Sequence, residues 1–477
     1  MNGKQIRPFG MKDKMGYLLG DLGNDLTFIL SSSYLMKFYT DIMGVPAAIV
    51  GIIMMIARFV DAFTDVTMGR ICDKSKPTKA GKFRPWILRM CGPVAVASFL
   101  MYQSAFADRS LTFKVAWLFI TYILWGSVFY TSINIPYGSM ASAISNKPED
   151  RQSLSTYRTV GGTLSGVFMG VLVPFIAFET VKGKTVLVGS KFTIAAGVLS
   201  VLSVLCYLGC YYLTLERVRS QESVKTENTV DKGIVKNFVR ITKSLFTNRA
   251  LLSVIAAMIF MLLAQLTVQG MNNYVYPNVY NNAGALSLSS MLIMVDVLIC
   301  AIFAKPLTKR FGRKEISVAG SLLAAVSYLI CFVLRPSNVW VYLAFAMLAY
   351  TGLMLFSIMS WALITDVIDY SEIRNGVRED GTIYSVYSFS RKLGQAASAG
   401  LTGGLLSLAG YTTKTAFEVN VLDSIFNISC IVPAIGFIAV ALIMGLAYPL
   451  GKKQVDENVR ILAEKHGKTD NQENRDE

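Results

Sequence analysis

Residues 421–450 read Val-Leu-Asp-Ser-Ile-Phe-Asn-Ile-Ser-Cys-Ile-Val-Pro-Ala-Ile-Gly-Phe-Ile-Ala-Val-Ala-Leu-Ile-Met-Gly-Leu-Ala-Tyr-Pro-Leu, with a single charge at Asp423. A helix needs about 20 apolar residues to cross a hydrocarbon core of about 30 Å, and this run exceeds that length. The stretch from Ile194 to Leu213 is another, with no charge at all. A soluble protein of this size would scatter its charges through amphipathic helices. Here 53% of 477 residues are hydrophobic and 16% charged, with a mean hydropathy of +0.47, against about 25% charged in soluble domains. The sequence therefore predicts an all-α, multi-pass membrane protein.

Apolar runs bounded by charges and turn residues give about twelve spans, near 16–39, 45–70, 86–106, 113–140, 155–178, 191–214, 249–275, 286–308, 316–334, 338–365, 382–409 and 421–449. The first run has no small-residue cleavage site and is read as a spanning helix, not a signal peptide. A polar segment rich in Lys, Glu, Ser, Thr and Asn separates six spans from six. The division is an N-terminal half (1–214), a central cytoplasmic loop (215–248), a C-terminal half (249–450) and a polar cytoplasmic tail (451–477). Two six-helix halves is the layout of the major facilitator fold.

The net charge of +15 is distributed over connecting loops, which argues against a nucleic-acid surface, where basic residues share one face. Cytoplasmic loops retain Lys and Arg. Arg70, Lys74, Lys76, Lys79, Lys82 and Arg84, then Lys147 and Arg151, then Lys305, Lys309, Arg310, Arg313 and Lys314 fall in alternate loops, whereas the other loops are sparse. Both termini are thus expected in the cytoplasm. Gly69-Arg70-Ile71-Cys72-Asp73-Lys74 through Gly81-Lys82-Phe83-Arg84 after the second span is weakly echoed by Lys309-Arg310-Phe311-Gly312-Arg313-Lys314 after the eighth, which lacks the leading glycine and the aspartate; the rival reading is that any cytoplasmic loop is basic with a glycine turn. The seven cysteines lack metal-ligand spacing, and most lie in apolar runs as small hydrophobes. The one histidine, His466, is in the tail, so proton chemistry within the membrane falls to carboxylates.

Polar residues inside spans carry the functional signal. Ala57-Arg58-Phe59-Val60-Asp61-Ala62-Phe63-Thr64-Asp65 sets two carboxylates four residues apart on one helix face, with Arg58 a turn earlier. A charge at a helix centre costs about 2.5–3.5 kcal/mol on insertion scales, so such a cluster must face a bundle interior and find partners. Carboxylate oxygens and the Thr64 hydroxyl suit a small hard cation such as Na+, or the acids can carry H+. The competing reading is a static Arg–Asp tie between helices. The first span holds Asp21, Asn24 and Asp25, groups suited to a hydroxyl-rich ligand. An alternative makes Asp21 and Asp25 interfacial caps. Trp125, Asn134, Pro136 and Tyr137 mark the fourth span, Arg158 the fifth and Lys392 the eleventh. A snorkelling cation explains Arg158 or Lys392 singly, whereas all of them together point to a central polar cavity. Asp366 and Asp369, at the cytoplasmic end of the tenth span and before Arg374 and Arg378, are read as a cytoplasmic gate, the rival being a solvated helix end.

These motifs in order, Ala57-Arg58 with Asp61 and Asp65, Gly81-Lys82-Phe83-Arg84-Pro85, Asn134-Ile135-Pro136-Tyr137-Gly138, Asp366-Val367-Ile368-Asp369-Tyr370 and Tyr384 through Arg391-Lys392, resemble the glycoside-pentoside-hexuronide:cation symporters. The resemblance runs from about Lys12 to Leu450 and is strongest to the glucuronide and sulfoquinovose type carriers. It implies a secondary transporter of the major facilitator superfamily in a cell (inner) membrane, moving a sugar or glycoside with Na+ or H+ and no other cofactor. It further implies a cation site of Asp61, Asp65, Thr64 and Thr131, and a sugar site of Asp25, Asn134, Arg158 and Lys392 with Trp125 and Tyr137 beside them. Asn134, Gly138, Asn24 and Thr64 depart from the melibiose permease pattern. The departures turn the expectation from galactosides toward an acidic or pentosyl glycoside. Two other functions stay open: a carrier of a non-sugar amphiphile such as a lysophospholipid, and a membrane enzyme. The enzyme lacks a Ser-His-Asp set or a His-Glu metal motif.

Overall fold

The computed structural model describes residues 7–218, 248–375, 380–462 and 464. Residues 219–247 of the central loop, Arg378, His466 and the end of the tail lie outside the described residues, as do the side chains of Trp361 and Tyr384. The twelve predicted spans are twelve helical rods. They are α1 (Met11–Asp41), α2 (Ala47–Lys74), α3 (Arg84–Met101), α4 (Leu111–Ile144), α5 (Pro148–Ala177) and α6 (Gly189–Leu213), then α7 (Arg249–Val279), α8 (Ala283–Phe311), α9 (Arg313–Leu334), α10 (Val339–Asn375), α11 (Asp380–Leu408) and α12 (Val419–Ala447). Nine of them, among the described residues, are long and apolar enough to cross a membrane. Outside that set are α1, α3 and α11, of which α1 and α11 carry Asp21, Asn24, Asp25, Arg391 and Lys392 in their middle turns. Such charges lower the mean hydropathy of a helix and need partners inside the bundle.

Among the described residues three rods contain π-helical turns, at Leu124–Tyr130 in α4, Val275–Val279 in α7 and Ile443–Ala447 in α12. An extra residue per turn re-aims the side chains that follow, and such turns cluster at functional sites. The outer connection from α5 to α6 is a hairpin of β1 (Phe178–Val181) and β2 (Lys184–Leu187). Lys182 and Gly183 both take positive φ at its tip, the geometry of a two-residue hairpin turn.

The echoed motifs are built alike. Gly81 (φ 118°) and Gly312 (φ 105°) each hold a backbone conformation that side chains disfavour, just before the helix that follows. At the start of α3, Arg84 donates from Nε to the Tyr211 carbonyl near the end of α6 at 3.1 Å. At the start of α9, Lys314 Nζ donates to the Tyr448 carbonyl after α12 at 2.7 Å. The third helix of each half is thus pinned to the sixth by a basic side chain on an orphan helix-end carbonyl.

The described chain forms two compact units. One comprises residues 1–226, 269–294 and 399–426, and the other residues 227–268, 295–398 and 427–477. Within the first unit, α1 packs along α5 and α6, and the outer turns of α7, α8 and α11 join helices of the N-terminal half. Three close seams do this. On α1, the Ser33 carbonyl accepts from Asn273 Nδ2 of α7 at 2.6 Å. Gly51 of α2 abuts Gly403 of α11, where a Cβ on Gly403 would stand 2.5 Å from the Ala47 carbonyl oxygen. A Cβ on Gly170 of α5 would meet Ser290 of α8 at 2.0 Å.

In the second unit, a core from Leu251, Met258, Phe356, Leu363, Val367, Tyr387, Val440 and Met444 joins α7, α10, α11 and α12. Gly320 of α9 and Gly352 of α10 touch backbone to backbone, and a Cβ on Gly352 would lie 2.2 Å from the Gly320 carbonyl oxygen. Gly352→Ala is therefore expected to lower stability by about 1–3 kcal/mol, the usual cost of overpacking. Thermal melting in detergent checks this, and an unchanged melting temperature would contradict so close a contact.

Candidate functional site

The π turn of α4 positions the first cluster. It brings Ser127 and Thr131, four residues apart, against Asp61 and Asp65, four residues apart on α2. Ser127 Oγ donates to Asp61 Oδ1 at 2.5 Å and Thr131 Oγ1 to Asp65 Oδ1 at 2.8 Å. Two acids on one helix face meet two hydroxyls on another, in register. Arg58 Nη1 lies 3.2 Å from Asp61 Oδ2, with its guanidinium 4.9 Å over the Phe28 ring. Gly126 borders the carboxylate, 3.5 Å from Asp61 Oδ1 measured from where a Cβ would stand. Thr64 turns its hydroxyl to the Asp61 carbonyl, 3.2 Å away on its own helix.

The second cluster is a ladder on α1 facing α5 and α6. Asp21 accepts from Arg158 Nε of α5 at 2.9 Å. Tyr207 of α6 donates to Asn24 Oδ1 at 2.8 Å. Asp25 is half-buried beside Gly162, where a Cβ would lie 2.8 Å from its Oδ2 and 3.1 Å from Asp21 Oδ2. The adjoining Gly161 allows α5 onto the α1 backbone, for a Cβ there would be 2.5 Å from the Leu18 carbonyl oxygen. The Gly-Gly pair after Arg158 thus seats two carboxylates side by side. Arg158 also covers the Tyr137 ring at 5.4 Å, and Tyr137 stacks on Tyr17 at 4.6 Å. The Arg158 side chain stays 43% exposed. Only its Nε is committed to Asp21, and Gly138 leaves space beside Nη1.

Phe28 joins the clusters, stacking on Tyr130 of α4 at 5.6 Å while lying under Arg58. Trp125 is fully buried between Tyr122 and Tyr130. Its Nε1 has no hydrogen-bond partner among the described residues. Neither Trp125 nor Tyr137 offers an open ring face in this conformation. Asn134 is half-buried on α4, three residues past Thr131.

Lys392 is half-buried on α11, and Asp366 and Asp369 lie on α10, all in the second unit. Asp366 pairs with Arg313, the basic residue of the echoed motif in the same half. Sequence reasoning did not single out Ser127, whose signal is its place one turn before Thr131. Nor did it weigh Asp296, the lone acid of α8, whose Oδ1 accepts from Thr351 of α10 at 2.8 Å.

Among the described residues no group of three or more His, Cys, Asp or Glu side chains could hold a metal ion. The α2–α4 cluster is instead two carboxylates with two hydroxyls, a donor set suited to a monovalent cation or a proton. The sequence profile of a family described as "MFS/sugar transport protein" matches residues 16–452. The chain belongs to that family. It is a multi-pass membrane transporter of the major facilitator type, made of two six-helix halves. The chain is 32% identical over 458 residues to an "uncharacterized symporter YjmB" of Bacillus subtilis (strain 168), covering 95% of this chain and 96% of that one. It is 30% identical to the "glucuronide carrier protein homolog" of Escherichia coli (strain K12), with 93% and 94% covered. Its fold is similar to that of a bacterial homologue of the human lysosomal transporter Spinster, with a TM-score of 0.67, 94% and 97% coverage and 11% identity.

Proposed function

We propose that the chain is a symporter that moves an acidic sugar or glycoside with one monovalent cation by alternating access. The cation binds at Asp61 and Asp65 with the Ser127 and Thr131 hydroxyls, and the sugar at Asp25, Asn134 and Arg158. The observation that carries this reading is the in-register pairing of the two α2 acids with the two α4 hydroxyls. Oxygen donors on two different helices report cation occupancy as helix position, which is what coupling requires. The exposed Arg158 guanidinium supports an anionic sugar, since a guanidinium matches a carboxylate in a two-point fork. The name of the glucuronide-type relative agrees with that choice.

Uptake of labelled hexuronides and neutral glycosides into vesicles, with Na+ and H+ gradients imposed separately, tests this. A tenfold gradient of the coupling ion supplies about 1.4 kcal/mol, enough for about tenfold accumulation at one-to-one stoichiometry. An acidic sugar carried with one cation moves no net charge, so a membrane potential alone is expected to leave its uptake unchanged. Accumulation of neutral glycosides only would overturn the acidic assignment. Absence of accumulation with every sugar would favour an amphiphilic cargo.

A further inference from the structure

The outer end of α1 carries Lys37, whose side chain is 1% exposed. Its Nζ lies 2.8 Å from Asp41 Oδ2 one turn on, donates to Asn278 Oδ1 at 2.7 Å and lies 4.4 Å over the Tyr274 ring. Tyr411 closes the ring, donating from its hydroxyl to Asp41 Oδ1 at 2.8 Å while standing 3.4 Å from Nζ. The Thr40 hydroxyl meets that of Tyr274 at 3.2 Å. Asn278 is brought there by the π turn of α7, and Tyr411 by the connection from α11 to α12. All these residues belong to the first compact unit. They bind the last turn of the first helix to two outer elements of the C-terminal half.

We infer that Lys37 and Asp41 are the latch of an outer gate, closed in this structure and exchanged for water when the carrier opens outward. This rests on the transporter reading, but not on which cation or sugar is carried. Sugar entering from outside must part the seams of α1 with α7, α2 with α11 and α5 with α8. The glycine contacts in those seams are passive. The Lys37 cluster differs because a buried ammonium is tolerated only while its counter-ion and hydrogen bonds are complete. Losing one partner removes the reason to stay buried, so the cluster is two-state: fully bonded and dry, or hydrated and apart. An apolar seam of equal area would hold the outer face shut more firmly. A charged latch keeps the closed state within reach of reversal.

The test uses the full chain in right-side-out vesicles without substrate. The readout is the rate at which a membrane-impermeant maleimide labels Ser33→Cys in the α1–α7 seam, compared with the chain lacking that cysteine. Asp41→Asn orphans the buried ammonium and is expected to speed labelling about a hundredfold, the scale of leaving a buried ion without its counter-charge. Adding Lys37→Met removes the orphan and is expected to return labelling to the parent rate or below, a rescue that general damage to the fold would not produce. An unchanged rate in Asp41→Asn, or acceleration that persists in the double variant, overturns the inference. If Asp41→Asn does not reach the membrane, the milder Tyr411→Phe decides. It should speed labelling about tenfold or more, the worth of a hydrogen bond to a charged group, and an unchanged rate would overturn the latch.

Discussion

Asp61→Asn is expected to reduce gradient-driven sugar accumulation to a ratio of about one, where a tenfold cation gradient gives the parent about tenfold, while exchange of labelled for unlabelled sugar persists. The substitution keeps the shape that receives Ser127 but removes the charge that a cation, or a proton in its place, must neutralise. Arg58 then has lost its counter-ion within α2, and it occupies the cluster electrostatically as a resident cation would. Asp65→Asn should behave alike, since Thr131 holds Asp65 as Ser127 holds Asp61. Thr131→Val preserves both charges and removes one hydroxyl, so it should weaken cation affinity only about fivefold, the worth of one hydrogen bond. Linkage adds a requirement: the factor by which cation tightens sugar must equal the factor by which sugar tightens cation. Counterflow and accumulation in proteoliposomes check all three variants. If Asp61→Asn abolished sugar exchange yet left cation dependence intact, the α2 acids would belong to the sugar and not to the ion.

What could be read from the sequence divides along contact range. The twelve rods were legible because hydrophobic length is a local property, as in 421–450. The pairing of Asp61 with Asp65 was legible because four residues is one helical turn. Of their partners, Thr131 came only through the family resemblance and Ser127 not at all, since both stand 66 positions away and reach the acids through a π turn with no sequence signature. The Lys37–Asn278 bond spans 241 positions, and a lysine near a span end reads locally as a snorkelling cation. The hairpin at Phe178–Leu187 is not legible, because its strands are four residues each, too short for alternation to register. Arg158 was legible as an intramembrane cation, but its tie to Asp21 depends on Gly161 and Gly162 admitting α1, a close approach visible only in three dimensions.

That tie makes Arg158→Gln the most informative change at the sugar site. Truncating one partner of a hydrogen-bonded charge pair costs about 2–5 kcal/mol, so acidic sugars should bind about a hundredfold more weakly. Neutral glycosides, which do not need the fork, should lose less than about threefold, the scale of a hydrogen bond between neutral partners. The same change strands Asp21, which is buried, without its counter-charge, and should lower the amount of folded protein. Asp21→Asn in the Arg158→Gln background removes that stranded charge and separates the two roles. If Arg158 grips the substrate, the double variant recovers its folded yield and melting temperature but not its affinity for acidic sugars. If Arg158 only holds α5 to α1, both recover together. Equal losses for acidic and neutral sugars in the single variant would point the same way, and the anionic group would then have to be sought at Lys392.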